Sequence, residues 1–360
     1  MNLEKTLGRV NSTSLKYHLN RLIFGRRNFK LAATSSAVLY PKSTVVRRPA
    51  IFKGSDLSKV IQVQRETSFE HEYSRINGGK KELAATTAFV LKNVVAADGN
   101  IYKSNIKYGL RTYPDKIIID GAFKNYSSAC LMSSYMGNKY FGHWMRDDLP
   151  KYLAALDIDT PITCLKHQTG HQASYQDILG IKPETYFNGA IKKLTILEDY
   201  SQNEHKHQRY RLLRDKVSLN YTKSDKKGVM ILRRGSDSVR NLDNEQQVAE
   251  FLSLNGFDIV DVASCTVDEI IRKCRVDIVV GVEGSHLGNC IYPINEGGCI
   301  VTLQSPSRFN NVYKDYTDCM DMNYGFIIGD KSEKSGFTIN LGDLENILNK
   351  VENSIHRCHI

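Results

Sequence analysis

The sequence predicts an α/β fold with a parallel sheet in its C-terminal third, and three observations carry the prediction. Short apolar runs alternate with helix-length amphipathic segments four times between Val229 and Leu303. That rhythm implies right-handed strand–helix–strand crossovers and therefore a parallel sheet. The chain has 360 residues, more than one hydrophobic core usually organises, so two domains are expected. A glycine-bracketed turn, Gly281 to Asn289, follows one of the apolar runs, and ligands of such sheets bind outside the carboxyl ends of the strands.

The elements follow in chain order. Residues 1–50 read as a basic arm. Its first 30 residues hold Lys5, Arg9, Lys16, Arg21, Arg26, Arg27 and Lys30 against one acid, Glu4, with Leu15, Leu19, Leu22 and Ile23 at helical spacing. Such a segment suits an anionic membrane surface, and equally a docked or flexible basic terminus. Residues 51–222 form an N-terminal domain. Thr87–Val95 reads as a strand, Ala97-Asp98-Gly99-Asn100 as a turn, and Ile117–Ile119 continues the strand pattern. Tyr140–Leu156 reads as a helix, with Phe141, Trp144, Met145, Leu149, Leu153 and Leu156 on one face and a kink or restart at Pro150. The polar, basic stretch Ser201–Asp225 is the expected interdomain segment.

Residues 223–330 form the C-terminal domain. Val229–Leu232 is a buried strand. Asn244–Leu254 is a helix closed by Asn255-Gly256, and Phe257–Val262 is the next strand. Thr266–Cys274 is a helix with a Thr266–Glu269 capping box. Val276–Val280, a short helix Ser285–Ile291, and the strand Cys299–Leu303 complete the pattern, with 331–360 as a helical extension.

Composition bounds the function. The net charge of +10 favours anionic partners. The eight cysteines show no CxxC pair or zinc-ligand spacing, so reduced structural thiols are expected. No apolar run has the ~20 residues of a membrane span and no secretory signal is evident, which predicts a cytoplasmic protein, peripheral to the membrane where the basic arm touches it. The glycine-bracketed turn, rather than a basic groove interleaved with aromatics, argues against nucleic acid as partner.

Three segments carry candidate chemistry. In the turn after the third strand, Gly281, Glu283, Gly284, Ser285, His286 and Asn289 sit where glycine permits close backbone approach and a helix N-terminus suits a phosphate. After the first strand, Arg233, Arg234 and Arg240, followed by Asn241 and Glu245, suit a diphosphate clamp, because guanidinium forks match phosphate oxygens, and otherwise read as a solvated basic loop. On the helix at Tyr140, His143 and Asp147 are four apart and share a face. An aspartate beside a histidine holds its tautomer and raises its basicity, as a general base requires. The same residues suit a packed aromatic helix with a satisfied histidine. Asp147 and Asp148 are adjacent and diverge, so no metal requirement and no cofactor is expected.

The ordered set Gly142-His143-Trp144…Asp147…Leu149-Pro150, Arg233-Arg234…Arg240-Asn241…Asn244-Glu245, Gly256-Phe257 and Gly281…Gly284…Leu287…Asn289 resembles glycosyltransferase family 61 and its bacterial capsular-polysaccharide relatives, over roughly residues 85–330. The resemblance implies two Rossmann-like domains facing a cleft in the glycosyltransferase-B manner. It makes 51–222 the acceptor side and 223–330 the nucleotide-sugar-binding side. It also implies metal-independent inverting transfer, with His143 or Asp147 as base, from a nucleotide-sugar donor to a glycan or lipid-linked acceptor. The family's loop reads roughly GxHGAGLxN. Here Glu283 replaces the histidine and Ser285-His286 the Ala-Gly pair, and the Glu283 carboxylate would repel a diphosphate unless it points to sugar or nucleoside hydroxyls. Other readings are a pyruvyltransferase-like enzyme on a similar fold and a non-catalytic carbohydrate- or nucleic-acid-binding protein.

Overall fold

The computed structural model describes residues 16–25, 27–110, 123–164, 170–233, 238–333 and 336–357. Ile117–Ile119, Arg234 and Cys358 lie outside them. The fold is α/β. The chain divides into unit 1, Met1–Lys42 with Ala84–Ser201, and unit 2, Ser43–Leu83 with Gln202–Ile360.

Strand β1 (Ser35–Tyr40) opens unit 1, and β2 (Ser43–Arg47) and β3 (Gly79–Leu83) belong to unit 2. Unit 1 resumes with β4 (Thr86–Ala97), β5 (Asn100–Lys103), β6 (Ile106–Tyr108), β7 (Phe123–Leu131), β8 (Pro161–Thr163), β9 (Glu184–Thr185) and β10 (Asn188–Glu198). Unit 2 is completed by β11 (Gly228–Ile231), β12 (Phe257–Val260), β13 (Ile278–Val282), β14 (Cys299–Gln304) and β15 (Asn323–Ile328).

Unit 1 is one mixed sheet in the order β6-β5-β4-β10-β7-β8-β9, with β1 also paired to β4. β10 is the pivot, antiparallel to β4 and parallel to β7. The β4–β5 turn has Asp98 and Gly99 at φ 50° and 73°, the left-handed pair that matches strand twist in a two-residue hairpin. Before the first strand, a helix at 16–24 buries Tyr17 against Tyr102 and leaves Leu19, Leu22, Ile23 and Phe24 exposed. Among the described residues no helix is long and apolar enough to cross a membrane.

Unit 2 is built on a five-stranded, all-parallel sheet in the order β12-β11-β13-β14-β15. Its inner strands β11 and β13 are continuous buried apolar runs because both faces are covered. Met230, Val280, Val301 and Ile327 share one core with Leu344, Ile347, Leu348 and Val351 of the C-terminal helix Leu341–Arg357. The stretch expected as an extension after residue 330 therefore supplies core.

Residues 43–83 join unit 2 through its edge strand. Ile51 N–H donates to the Tyr324 carbonyl (2.8 Å), Phe326 N–H donates to the Ile51 carbonyl (3.1 Å), and Phe52 stacks on Phe326. Helix α1 (Phe69–Asn77) follows, capped by Ser68. This division differs from a boundary at 51 and another at 222. Edge pairing across some 270 residues leaves no local mark on composition or periodicity. The change of unit falls at the start of Ser201–Asp225, between Ser201 and Gln202, but most of that stretch is a helix of unit 2, Glu204–Asn220, N-capped by Asn203 and burying Tyr210, Leu213 and Val217. Those three residues have helical spacing that the surrounding charges conceal.

Candidate functional site

In unit 1, β7 ends at Leu131 and the chain turns through Ser133 and Ser134 into α2 (Tyr135–Lys139). The Tyr140 segment is helical without a break from Phe141 to Leu156, and Pro150 falls in the first turn of its last stretch, where a restart is expected. A turn at Phe141–His143 leads into a π-helical turn, Trp144–Asp148, and then into α3 (Leu149–Leu156). The π-turn closes with Leu149 N–H donating to the Trp144 carbonyl. Pro150, which lacks an N–H, is absorbed at the start of α3 instead of breaking the path.

That turn sets the side chains. Trp144 and Met145 are buried. His143 Nδ1 lies 2.8 Å from Asp147 Oδ2, with the imidazole half-buried. Asp148 points elsewhere: its Oδ2 accepts from Ser134 N–H (3.1 Å), and a Cβ on Gly137 would fall 2.0 Å from that oxygen. Gly137 is thus required for the carboxyl to reach the start of α2. Asp148 and Lys151 are both buried, 3.9 Å apart. Burial pushes the Asp148 carboxyl up to about 7 against the opposing pull of Lys151 and Ser134.

A stability effect follows. The folded protein holds this proton more tightly than the unfolded chain, whose aspartates titrate near ~4. The Asp148 contribution is complete below that value and is lost as pH rises towards 7. Asp148→Asn keeps an oxygen acceptor for Ser134 and removes the titration. Its melting temperature should rise relative to wild type from about pH 5 to about pH 8. A difference that is flat with pH would contradict this.

In unit 2, the loops after β11 and β13 leave neighbouring parallel strands at the same, C-terminal, edge. Gly281 is in β13 rather than in the loop, since the strand runs on to Val282. Its glycine is demanded by packing: a Cβ would meet Leu287 Cδ2 at 2.8 Å and the Ile231 carbonyl at 3.0 Å. The loop starts at Glu283, whose N–H donates to the Leu303 carbonyl. The next element is a six-residue 3-10 helix, Ser285–Cys290, shorter and tighter than the α-helical start expected for phosphate. Leu287 N–H already donates to the Gly284 carbonyl, which also accepts from Tyr313 Oη at 2.9 Å.

The candidate binding residues divide by their partners. Arg233, Arg240, Glu283, Gly284 and His286 come together. A Cβ on Gly284 would lie 3.0 Å from the His286 ring and 3.4 Å from Arg233 Nε. Arg240 Nη1 donates to Glu283 Oε2 at 3.3 Å. Burial, then the charges of Arg233 and Arg240, lower His286 to about 3, so its ring is neutral at physiological pH. Its buried Nε2 has no hydrogen-bond partner among the described residues. Ser285, partly buried, begins the 3-10 turn. Glu245 binds the Arg233 backbone N–H (3.2 Å), exposed Asn241 binds Asp243, and Asn289 donates to the His286 carbonyl, so these three order the loops by local bonds.

Glu283 is paired within the protein. It is 5% exposed, and its Oε2 accepts from both Arg240 and Arg308. Asn310 Nδ2 reaches Oε1 at 3.5 Å. Arg308 and Asn310, both absent from the sequence reading, stand on the loop after β14, the next strand along the same edge. The rule that placed the other two loops applies equally there.

Residues 141–301 match the family model described as Glycosyltransferase 61, a span that begins at the His143 turn and ends within β14. A comparison with curated proteins returned no match. Residues 141–301, less than half of the chain, are thus similar to glycosyltransferase family 61.

Proposed function

We propose that the protein is a metal-independent, inverting glycosyltransferase. It moves a hexosyl or pentosyl group from a nucleotide-sugar donor to a glycan or lipid-linked acceptor in surface-polysaccharide biosynthesis. Unit 2 carries the donor-binding residues and unit 1 carries the base, His143. The observation that carries this reading is the gathering of Arg233 and Arg240 at the C-terminal edge of a parallel sheet, in a chain whose residues 141–301 match the Glycosyltransferase 61 model.

The chemistry is a single displacement. The acceptor oxygen forms a bond to the anomeric carbon as the bond from that carbon to the phosphate oxygen breaks. The acceptor proton passes to His143, oriented by Asp147, and the nucleoside diphosphate leaves with the bonding electrons. Negative charge grows on the leaving phosphate, so fixed guanidinium groups there stabilise the transition state more than the ground state. Cations that neutralise the leaving group remove the need for a metal to do so.

The test is a screen of common nucleotide sugars with mixed glycan and lipid-linked acceptors, following release of nucleoside diphosphate and formation of a glycoside. Transfer should persist in excess chelator. Loss of transfer on chelation, restored by a divalent cation, would overturn the metal-independent mechanism.

The helix at 16–24 further docks unit 1 on an anionic bilayer, with Leu19, Leu22, Ile23 and Phe24 exposed beside Lys16, Arg21 and Arg27. The chain should float with phosphatidylglycerol vesicles and not with phosphatidylcholine vesicles, and Leu22→Asp with Ile23→Asp should abolish flotation. Equal flotation with both lipids, or with neither, would contradict it.

A further inference from the structure

We infer that Arg308 is a ligand of the donor diphosphate and that Glu283 is the positioning residue that aims Arg308 and Arg240 at it. This rests on the donor-site reading of unit 2.

Arg308 stands on the loop leaving β14, which pairs with β13 on the side away from β11. Three consecutive loops of one sheet edge thus each contribute to a single cluster: Arg233 and Arg240 after β11, Glu283 after β13, Arg308 after β14. Residue 308 lies beyond the span matched by the family model, which ends at 301.

The charges decide what Glu283 does. A carboxylate 5% exposed is costly unless it is paired and hydrogen-bonded, and here it is held by two guanidinium groups and Asn310. The Arg240–Glu283–Arg308 cluster carries a net single positive charge, and Arg233 adds a second. The carboxylate therefore does not make the edge repulsive to phosphate. It acts as a pin between two long side chains that would otherwise sample many rotamers.

The pin leaves Arg308 with capacity to bind. Glu283 engages only its Nη1. Its Nη2 and Nε have no partner among the described residues, and the side chain is 24% exposed. A guanidinium anchored at one nitrogen still presents the other edge of its planar fork, the geometry that two oxygens of a phosphate accept.

The experiment is calorimetric titration of the intact chain with UDP, GDP, dTDP and CDP, and with the matching nucleosides. Wild type, Arg308→Ala, Arg308→Lys and Glu283→Gln are compared, with folding checked by circular dichroism. For the diphosphate that wild type binds, Arg308→Ala should bind about 10- to 100-fold more weakly, the loss of charge-assisted hydrogen bonds. Arg308→Lys, a point charge without the fork, should fall between. Nucleoside affinity should hold within about threefold, because the missing contact is to phosphate.

Glu283→Gln separates positioning from charge. Removing an anion should tighten phosphate binding if only net charge matters. If the carboxylate aims the arginines, binding should weaken by about 5- to 50-fold despite the more positive site. Arg308→Ala binding like wild type, or Glu283→Gln binding more tightly, overturns the inference while leaving the donor site standing. If wild type binds none of the four diphosphates, the donor-site reading fails and takes this inference with it.

Discussion

His143→Ala should lower the transfer rate by about 10²- to 10⁴-fold, the range for loss of a general base, and leave nucleotide affinity unchanged. The imidazole is presented by an unusual piece of backbone. A π-turn over Trp144–Asp148 widens the helix where an ordinary α-turn would run into the proline, and its buried Trp144 and Met145 fix it against unit 1. Within that turn Asp147 holds Nδ1, so Nε2 is the nitrogen left to take a proton. Asp147→Asn should also slow transfer, because an amide neither stabilises the imidazolium nor enforces the tautomer. Rate constants from single-turnover assays, with circular dichroism to verify folding, provide the check. Unchanged rates in His143→Ala would remove the residue from the mechanism and leave a packed aromatic turn.

Glu72→Ala should destabilise the protein by about 3–5 kcal/mol, the cost of breaking a buried ion pair from one side. Glu72 is completely buried on α1. Its Oε1 accepts from Arg75 Nη1 (2.5 Å) and Thr67 Oγ1 (2.8 Å), and its Oε2 accepts from the backbone N–H of Asn311 (2.6 Å). Arg75 also donates to Asp315 (2.9 Å), which lies on the helix Val312–Cys319. The carboxylate therefore ties residues 43–83 to the segment after β14. Alanine takes from the mostly buried Arg75 guanidinium its buried partner, leaving it only Asp315, and strips the buried Asn311 amide of its acceptor. Glu72→Gln, which retains an acceptor oxygen, should cost less. Urea unfolding of the two variants measures this, and a loss below about 1 kcal/mol for Glu72→Ala would refute the clamp.

Some of this architecture is legible without coordinates. The parallel sheet follows from runs such as Val229–Leu232 and Cys299–Leu303, because strands covered on both faces are mostly apolar. The helix after β12 is marked by Thr266 and Glu269, which form the reciprocal capping bonds that their spacing predicts. Spacing also brings His143 and Asp147 together. Less visible is anything that depends on distant partners. Nothing local reveals that Ile51 pairs with the edge strand β15, or that Glu283 sits between Arg240 and Arg308. The helix Val312–Cys319 and β15 leave no clear sequence signal because buried polar residues such as Lys314, Thr317 and Asn323 interrupt their apolar pattern. Gly281 shows the same limit at one position: its role is to admit Leu287, which only packing discloses.

Hydrogen–deuterium exchange of the intact chain, with and without UDP, GDP, dTDP or CDP, locates the donor site most directly. The account predicts slowed exchange on binding in peptides covering 278–290 and 304–311, where Glu283 and Arg308 lie. Binding accompanied by protection confined to 86–198 would contradict it, and so would no binding by any of the four.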